Sequence, residues 1–157
     1  MIEVGSKLPD STFSTIAGGD MKNPSTSELF AGKKVVLFAV PGAFTPTCSM
    51  AHLPGYVAVA DKMQAKGVDS IVCLSVNDAF VMDAWGKASN AEHLTMLADG
   101  DGSFAKKIGL DMDTDGFGGV RSQRYSMLVD DGVVKALHVE EGGKFEVSDA
   151  ETMMKSL

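Results

Sequence analysis

The sequence predicts an α/β protein with a mixed central sheet, and three patterns support this fold class. Two continuous apolar runs, residues 33–40 and 69–76, have the composition of strands buried on both faces. A helical segment follows each run, which favours parallel strands joined by crossover helices. Two later apolar runs, residues 124–129 and 133–139, flank the turn 130–132 and therefore predict an antiparallel hairpin.

The N-terminal part of the chain is rich in turn formers and predicts a loop-rich hairpin extension. The alternating segment 11–16 is the expected strand, with Pro, Gly, Asn and Asp clusters on both sides. After it, either Ser25 or Ser27 is expected to cap a short helical turn through Leu29 and Phe30.

The first buried strand stops at the Pro-Gly pair of residues 41–42, and a helix is expected to follow. Thr45 is the candidate N-cap, and Pro46 occupies the first helical position. The helix runs towards residues 66–67, and Pro54 inside it should produce a kink.

The same signals place the remaining elements. These are a helix over 79–88 capped at Asn77 and Asp78, a short strand at 94–98, a helix capped by Ser103 that runs through 108–109, a long Asp- and Gly-rich loop at 111–119, and a last helix capped by Asp149. This order outlines a thioredoxin-like α/β sandwich with helices on both sheet faces. We expect one domain over residues 1–157.

The composition excludes several classes of function. The chain has 157 residues with 14 basic and 21 acidic side chains, and its net charge is -7. Since the basic residues are scattered, nucleic acid is not an expected partner. No apolar run approaches the roughly 20 residues that span a membrane. The N-terminus lacks the features of a targeting segment, and the two cysteines form no CxxC pair, so we expect a cytoplasmic protein.

Cys48 gives the clearest chemical signal in the sequence. It lies in the first turn of the helix that follows the first buried strand, where free backbone N–H groups and the helix dipole stabilise a thiolate relative to a thiol. A free cysteine is also commonly a small buried apolar residue, and position alone leaves both interpretations open. Cys73 lies in the middle of the second strand, where a structural thiol is expected.

Residues 41–49, PGAFTPTCS, carry a family resemblance. The pattern Pro41-x-x-x-Thr45-x-x-Cys48 resembles the active-site motif of peroxiredoxins, and the whole segment is similar to the peroxiredoxin V (type II) subfamily. Further segments resemble that subfamily in order and spacing, so the similarity covers nearly the whole chain; they are residues 76–80, 97–99, 123–127 and 131–137.

The resemblance implies a thiol peroxidase that needs no cofactor or metal. Cys48 would be the peroxidatic cysteine, whose thiolate attacks a peroxide oxygen, becomes sulfenic acid and releases water or an alcohol. The Thr45 hydroxyl would accept from the peroxide and donate towards the thiolate, and Pro41 would wall the pocket. Arg124, at the start of a late strand, would favour the thiolate and donate to the peroxide oxygens.

Recycling is expected to depend on an external thiol. Subfamily members with an intramolecular resolving cysteine carry it late in the chain, whereas residues 140–157 contain none. Glutathione with glutaredoxin is therefore the expected reductant, and thioredoxin is the alternative. The resemblance also implies a homodimer through the edge that carries Phe44, Phe80 and Trp85. The competing function is a non-catalytic redox sensor or docking module that uses the same cysteine.

Three weaker patterns are interpreted as structural. Residues 111–116 resemble the start of a calcium-binding EF-hand loop, but the twelfth position is Ser122 instead of Glu. The glycine-rich segment 116–119 does not match a dinucleotide-binding fingerprint. His52, four residues after Cys48, lacks partners for a zinc site and is expected to be a partly solvated helix residue.

Overall fold

The strands and helices of the chain are defined by a computed structural model that describes residues 1–157. The strands are β1 Thr15–Ala17, β2 Asp20–Lys22, β3 Lys34–Val40, β4 Ser70–Ser75, β5 Thr95–Ala98, β6 Asp111–Asp113, β7 Val120–Ser122, β8 Tyr125–Asp130 and β9 Val133–Val139. The helices are α1 Thr26–Phe30, α2 Leu53–Ala65, α3 Ala79–Ala88, α4 Ser103–Lys107 and α5 Ala150–Met154, with a π-helical turn over Cys48–His52 directly before α2. None of these helices is long and apolar enough to cross a membrane.

Five strands form the central sheet in the order β5-β4-β3-β8-β9. Strand β3 lies in the middle, pairs in parallel with β4 and pairs in antiparallel with β8. Every residue of β3 after Lys34 is buried, as the continuous apolar run predicts. The expected mixed sheet is therefore confirmed, and the carboxyl end of β3 lies beside the start of β8.

Alternating side chains of β3 build a core on each face of the sheet. Val36, Phe38 and Val40 pack with residues of α2, α3 and α5. The residues between them on the strand face the N-terminal segment, α1 and α4. Since both faces are covered by helices, the predicted sandwich is also confirmed.

The N-terminal hairpin lies further along the chain than the alternating pattern predicted. Strands β1 and β2 pair over Thr15–Ala17 and Asp20–Lys22, and Gly18 and Gly19 form the turn with φ of 61° and 83°. Ser25 caps α1 through a capping box with Glu28, so one of the two predicted capping residues is correct.

Two local predictions are wrong. Helix α4 is not capped by Ser103, because the buried carboxylate of Asp99 accepts the N–H groups of Phe104 and Ala105 instead. Ser103 is the first residue of the helix. The predicted loop 111–119 contains β6, which pairs with β7 in a small hairpin.

The N-terminal segment covers part of the outer edge of the central sheet. Strand β9 is the last strand of the sheet. Lys7 forms a bridge with Val133, and backbone hydrogen bonds join Gly5 and Ser6 to Val134. The beginning of β9 therefore has backbone partners on both sides.

Candidate active site

The helix that carries Cys48 begins with an irregular turn. Helical backbone starts at Pro46, and from Cys48 to His52 it widens to a π-helical turn. The N–H of Leu53 donates to the carbonyl oxygen of Cys48, five residues earlier. Pro54 has no N–H, and its ring would crowd the carbonyl four residues back in a regular helix. The predicted kink is thus a widened turn immediately before the proline.

Thr45 lies at the start of this helix but does not cap it with its side chain. Its carbonyl oxygen accepts the N–H of Ser49, as an N-cap carbonyl does, whereas its hydroxyl donates to the carbonyl oxygen of Gly42 at 2.7 Å. The expected side-chain cap is therefore wrong. A Cβ atom at position 42 would lie 3.1 Å from the methyl group of Thr45, so glycine permits this close contact. Because the single hydroxyl proton of Thr45 is committed to Gly42, the expected donation towards the Cys48 thiolate is also wrong. The Thr45 oxygen has lone pairs free to accept.

The sulfur of Cys48 is buried and contacts a guanidinium group. Cys48 has no exposed surface, and Nη2 of Arg124 donates to its Sγ at 3.0 Å. Arg124 precedes β8, which runs antiparallel to β3, so the topology brings Arg124 to the same sheet end as Cys48. A cation that donates a hydrogen bond to sulfur favours the thiolate over the thiol. The predicted proximity of these two residues is confirmed.

His52 is part of the same hydrogen-bond network. It is fully buried, its Nδ1 accepts from Nη1 of Arg124 at 2.9 Å, and its Nε2 lies 3.0 Å from the carbonyl oxygen of Ser148. Burial, together with the nearby Arg124 charge, lowers the pKa of His52 to about 3. The expectation of a partly solvated histidine is wrong, because the loop after β9 folds over the ring.

Glu140 holds that loop and is a residue that the sequence patterns did not reveal. Its carboxylate accepts the N–H groups of Glu146, Val147 and Ser148 and the hydroxyl of Ser148. Burial alone would raise the pKa of Glu140, but these hydrogen bonds outweigh it and hold the pKa below its usual range. Nothing in the local composition of residues 140–148 distinguishes this carboxylate from its exposed neighbours.

An open cavity of about 300 Å³ lies beside the guanidinium of Arg124. Pro41 and Met112 contribute apolar walls, and Lys144 lies at its border. Pro41 therefore lines space next to Arg124, as expected of a pocket wall. No group of three or more His, Cys, Asp or Glu residues is arranged to hold a metal ion.

The sequence and the fold match one family of proteins. A family model described as Redoxin matches residues 3–154. Peroxiredoxin-2E, a chloroplastic protein of Arabidopsis thaliana, is 53% identical over 163 residues, which cover 99% of this chain and 69% of the relative. Peroxiredoxin-2B of the same plant is 48% identical, with 99% and 98% coverage.

This chain is a peroxiredoxin.

A solved structure agrees closely with the fold. The crystal structure of reduced Prx3 from Vibrio vulnificus in complex with hydrogen peroxide is 62% identical, has a TM-score of 0.97 and covers 99% of both chains. The fold is thus thioredoxin-like, and the enzyme is a thiol-dependent peroxidase, an oxidoreductase. The family therefore favours the expected peroxidase over the alternative of a non-catalytic redox module.

The second cysteine of this peroxiredoxin lies below the site in the sheet. Cys73 is fully buried in β4, between Phe38 of β3 and Met96 of β5. Burial raises the pKa of its thiol well above the ordinary value. Both cysteines are free. The surroundings of Cys73 are those of a structural thiol.

Neighbouring polar groups hold the loop before Cys48. Oδ1 of Asn77 accepts from the N–H of Ala43 at 3.0 Å and from the hydroxyl of Ser75. Asp78, next to it, caps α3. The indole N–H of Trp85 donates to the hydroxyl of Ser49 at 3.0 Å, which ties α3 to the turn that carries Cys48.

We expect the stability of this peroxiredoxin to depend on pH through His52. The unfolded chain binds a proton near pH 6.5, whereas the folded protein excludes it until about pH 3. The contribution of His52 to the free energy of unfolding is therefore fully present above pH 6.5. As the pH drops from 6.5 to about 3, this contribution falls by about 1.4 kcal/mol per pH unit. Urea unfolding between roughly pH 4.5 and 7.5 measures the slope.

His52→Asn should make this slope shallower, because the substituted side chain does not titrate. His138→Gln, on the outer strand β9, is the matched control for the loss of a histidine outside the active site. An unchanged slope in His52→Asn would show that the buried imidazole does not account for the pH dependence.

Proposed function

We propose that this peroxiredoxin reduces hydrogen peroxide and alkyl hydroperoxides through Cys48, and that an external thiol recycles it. The observation that carries this proposal is the 3.0 Å contact between Arg124 Nη2 and the buried Sγ of Cys48. A buried sulfur that accepts from a cation is shielded from bulk water and lies beside a group that can stabilise negative charge in the reaction.

In the proposed reaction, the Cys48 thiolate attacks one peroxide oxygen while the O–O bond breaks. The attacked oxygen and its proton stay on sulfur as sulfenic acid, and the second oxygen takes up a proton and leaves as water or an alcohol. Arg124 donates to the oxygens as negative charge moves onto the leaving oxygen. The hydroxyl of Thr45 donates to Gly42, so its lone pairs accept from the peroxide O–H. Pro41 limits solvent beside the site.

Two observations support the substrate classes. Prx3 of Vibrio vulnificus, which is 62% identical, binds hydrogen peroxide in its crystal structure. The cavity beside Arg124, about 300 Å³ in volume, is far larger than a water-sized peroxide. Its Pro41 and Met112 walls are suited to the organic group of an alkyl hydroperoxide.

Recycling requires a thiol from outside the chain in this proposal. Residues 140–157 contain no cysteine, and Cys73 is buried in β4. Cys48 is buried as well, so in this proposal the turn 48–52 opens before an external thiol reaches the sulfenic acid. Met50, on this turn, is 80% exposed. Glutathione is small enough to enter a limited opening, with glutaredoxin completing the exchange. Free cysteines and a glutathione supply both suit the cytoplasm, the proposed location.

We also propose that the enzyme forms a homodimer through the edge next to α3. Phe44 and Phe80 are 55% and 65% exposed, and the Phe44 ring lies 6.4 Å from the buried ring of Trp85. Exposed aromatic rings of this kind are typical of protein interfaces.

Peroxide consumption assayed in parallel with three reductants tests the proposed recycling. The reductants are glutathione with glutaredoxin, thioredoxin with its reductase, and dithiothreitol. We expect turnover with glutathione and glutaredoxin, and one glutathione adduct per chain by intact-mass analysis after peroxide and glutathione. Cys48→Ser should lose the adduct, and Cys73→Ser should keep it. A Cys48–Cys73 disulfide that only thioredoxin reduces would overturn the proposed one-cysteine cycle.

We expect Thr45→Val to slow peroxide reduction about 10- to 100-fold, because it removes one hydrogen bond to the reacting group. Thr45→Ser retains the hydroxyl and should lose much less activity. Thr47→Val, an exposed position two residues later, is the matched control. Equal losses in Thr45→Val and Thr45→Ser would mean that Thr45 acts only by packing against Gly42.

A further inference from the structure

Glu140 is a buried carboxylate near the active site that the proposed mechanism does not use. It is 8% exposed. All four groups that donate to it come from one short segment: the N–H groups of Glu146, Val147 and Ser148, at 2.8 to 2.9 Å, and the Ser148 hydroxyl at 2.7 Å. A carboxylate with this many donors fixes the position of the segment that supplies them.

The peptide carbonyl of Ser148 points from this segment to the helix that carries Cys48. It accepts from the hydroxyl of Tyr56 at 2.8 Å and lies 3.0 Å from Nε2 of His52. Ser148 has no exposed surface, so no water competes for the carbonyl oxygen. Glu140 therefore accepts from the N–H of Ser148, and the carbonyl of Ser148 contacts the helix that carries Cys48.

The contact with Ser148 determines which nitrogen of His52 carries the proton. A carbonyl oxygen only accepts, so Nε2 must be the protonated nitrogen of the neutral ring. The lone pair of Nδ1 then accepts from Nη1 of Arg124 at 2.9 Å. With the proton on Nδ1 instead, two donors would face each other, and Arg124 would lose this partner.

The guanidinium of Arg124 uses two nitrogens in this network. Nη1 contacts His52, and Nη2 contacts the sulfur of Cys48. Phe145, from the same loop that Glu140 holds, lies with its ring 5.8 Å from the guanidinium carbon and 4.9 Å from the His52 ring. The loop thus also contacts the rigid donor fork of Arg124 through the Phe145 ring.

We propose that Glu140 is a positioning residue for Arg124, acting through the Ser148 carbonyl and the tautomer of His52. The carboxylate organises the loop, the loop selects the Nε2–H form of the imidazole, and the imidazole holds the guanidinium against the sulfur of Cys48. The effect of Glu140 on catalysis rests on the proposed role of Arg124, whereas its effect on the His52 tautomer does not.

Glu140→Gln tests this proposal in the reduced full-length enzyme. The amide keeps the volume of Glu140, but its NH₂ group faces the N–H donors of the loop. We expect the ¹⁵N chemical shifts of the His52 ring to lose the pattern of a single Nε2–H tautomer. We also expect the rate of peroxide attack to fall roughly 10- to 100-fold, comparable to the loss when a group that orients a metal-ligating side chain is removed. Glu141→Gln, at the adjacent position with its side chain 87% exposed, is the matched control.

Each outcome decides the matter. The proposal is supported if Glu140→Gln both loses the single Nε2–H tautomer of His52 and slows peroxide attack, while Glu141→Gln changes neither. An unchanged tautomer overturns it whatever the rate does, and so does a changed tautomer with an unchanged rate. If Arg124→Ala leaves the rate of attack unchanged, the proposed function fails separately.

A second variant keeps the test decisive if Glu140→Gln does not fold. Ser148→Ala removes only the hydroxyl that donates to Glu140 and keeps the carbonyl that faces His52. We expect smaller changes in the same direction, in both the imidazole shifts and the rate. Wild-type behaviour in both measurements would overturn the proposal.

Discussion

Replacing Cys48 by serine should abolish peroxide reduction, whereas replacing Cys73 by serine should leave most of it. Only Cys48 has a sulfur that accepts from a guanidinium, and that guanidinium, of Arg124, lines an open cavity together with Pro41. Cys73 is enclosed between Phe38 and Met96 within the sheet. A serine hydroxyl is a far weaker nucleophile than a thiolate, so the expected loss for Cys48→Ser is roughly 10⁴-fold or more.

Peroxide consumption with excess dithiothreitol measures this difference without depending on the natural reductant. Thermal unfolding of both variants is the necessary control, because a serine in the buried strand β4 is expected to reduce stability. Equal loss of activity in two folded variants would contradict the assignment of Cys73 as a structural thiol.

Arg124→Ala should slow peroxide attack roughly 10²- to 10³-fold, the range for removal of one donor that stabilises charge at the transition state. The substitution removes both the donor to Cys48 Sγ and the partner of His52 Nδ1. Arg124→Lys should be intermediate, since one ammonium group cannot reproduce the planar fork that reaches both atoms.

Stopped-flow fluorescence offers a direct measurement of the attack step. The protein has one tryptophan, and Trp85 donates to Ser49 in the same turn as Cys48. Lys144→Ala is the matched control, because Lys144 borders the same cavity without a contact to the sulfur. If Lys144→Ala slows attack as much as Arg124→Ala does, general positive charge near the cavity explains the rate and the specific contact does not.

Local patterns were sufficient to predict the sheet and the position of Cys48. The apolar runs that became β3, β4 and β8 leave few alternatives, since almost all of their residues are buried and each run ends at a turn. The run that became β9 is only partly buried, and the turn after β8 predicted its pairing. The proximity of Arg124 was implied by the family resemblance, and the antiparallel pairing of β8 with β3 explains it.

Contacts between distant segments account for part of what the sequence did not predict. His52 is buried because a loop nearly a hundred residues later supplies the Ser148 carbonyl. Thr45 donates to Gly42 instead of capping the helix, and Asp99 takes the capping role expected of Ser103. The contact of His52 joins distant segments, whereas those of Thr45 and Asp99 are local. In the two local cases, more than one nearby side-chain hydrogen bond was possible, and the sequence pattern did not distinguish them.

The N-terminal segment that pairs with the outer strand β9 also affects how the protein behaves in solution. Gly5, Ser6 and Lys7 use their backbone groups along the first residues of β9, which would otherwise present free N–H and C=O groups at a sheet edge. Such edges recruit strands from other molecules and start aggregation. Losing the backbone contacts of Gly5, Ser6 and Lys7 would therefore expose the start of β9 and favour aggregation of the protein.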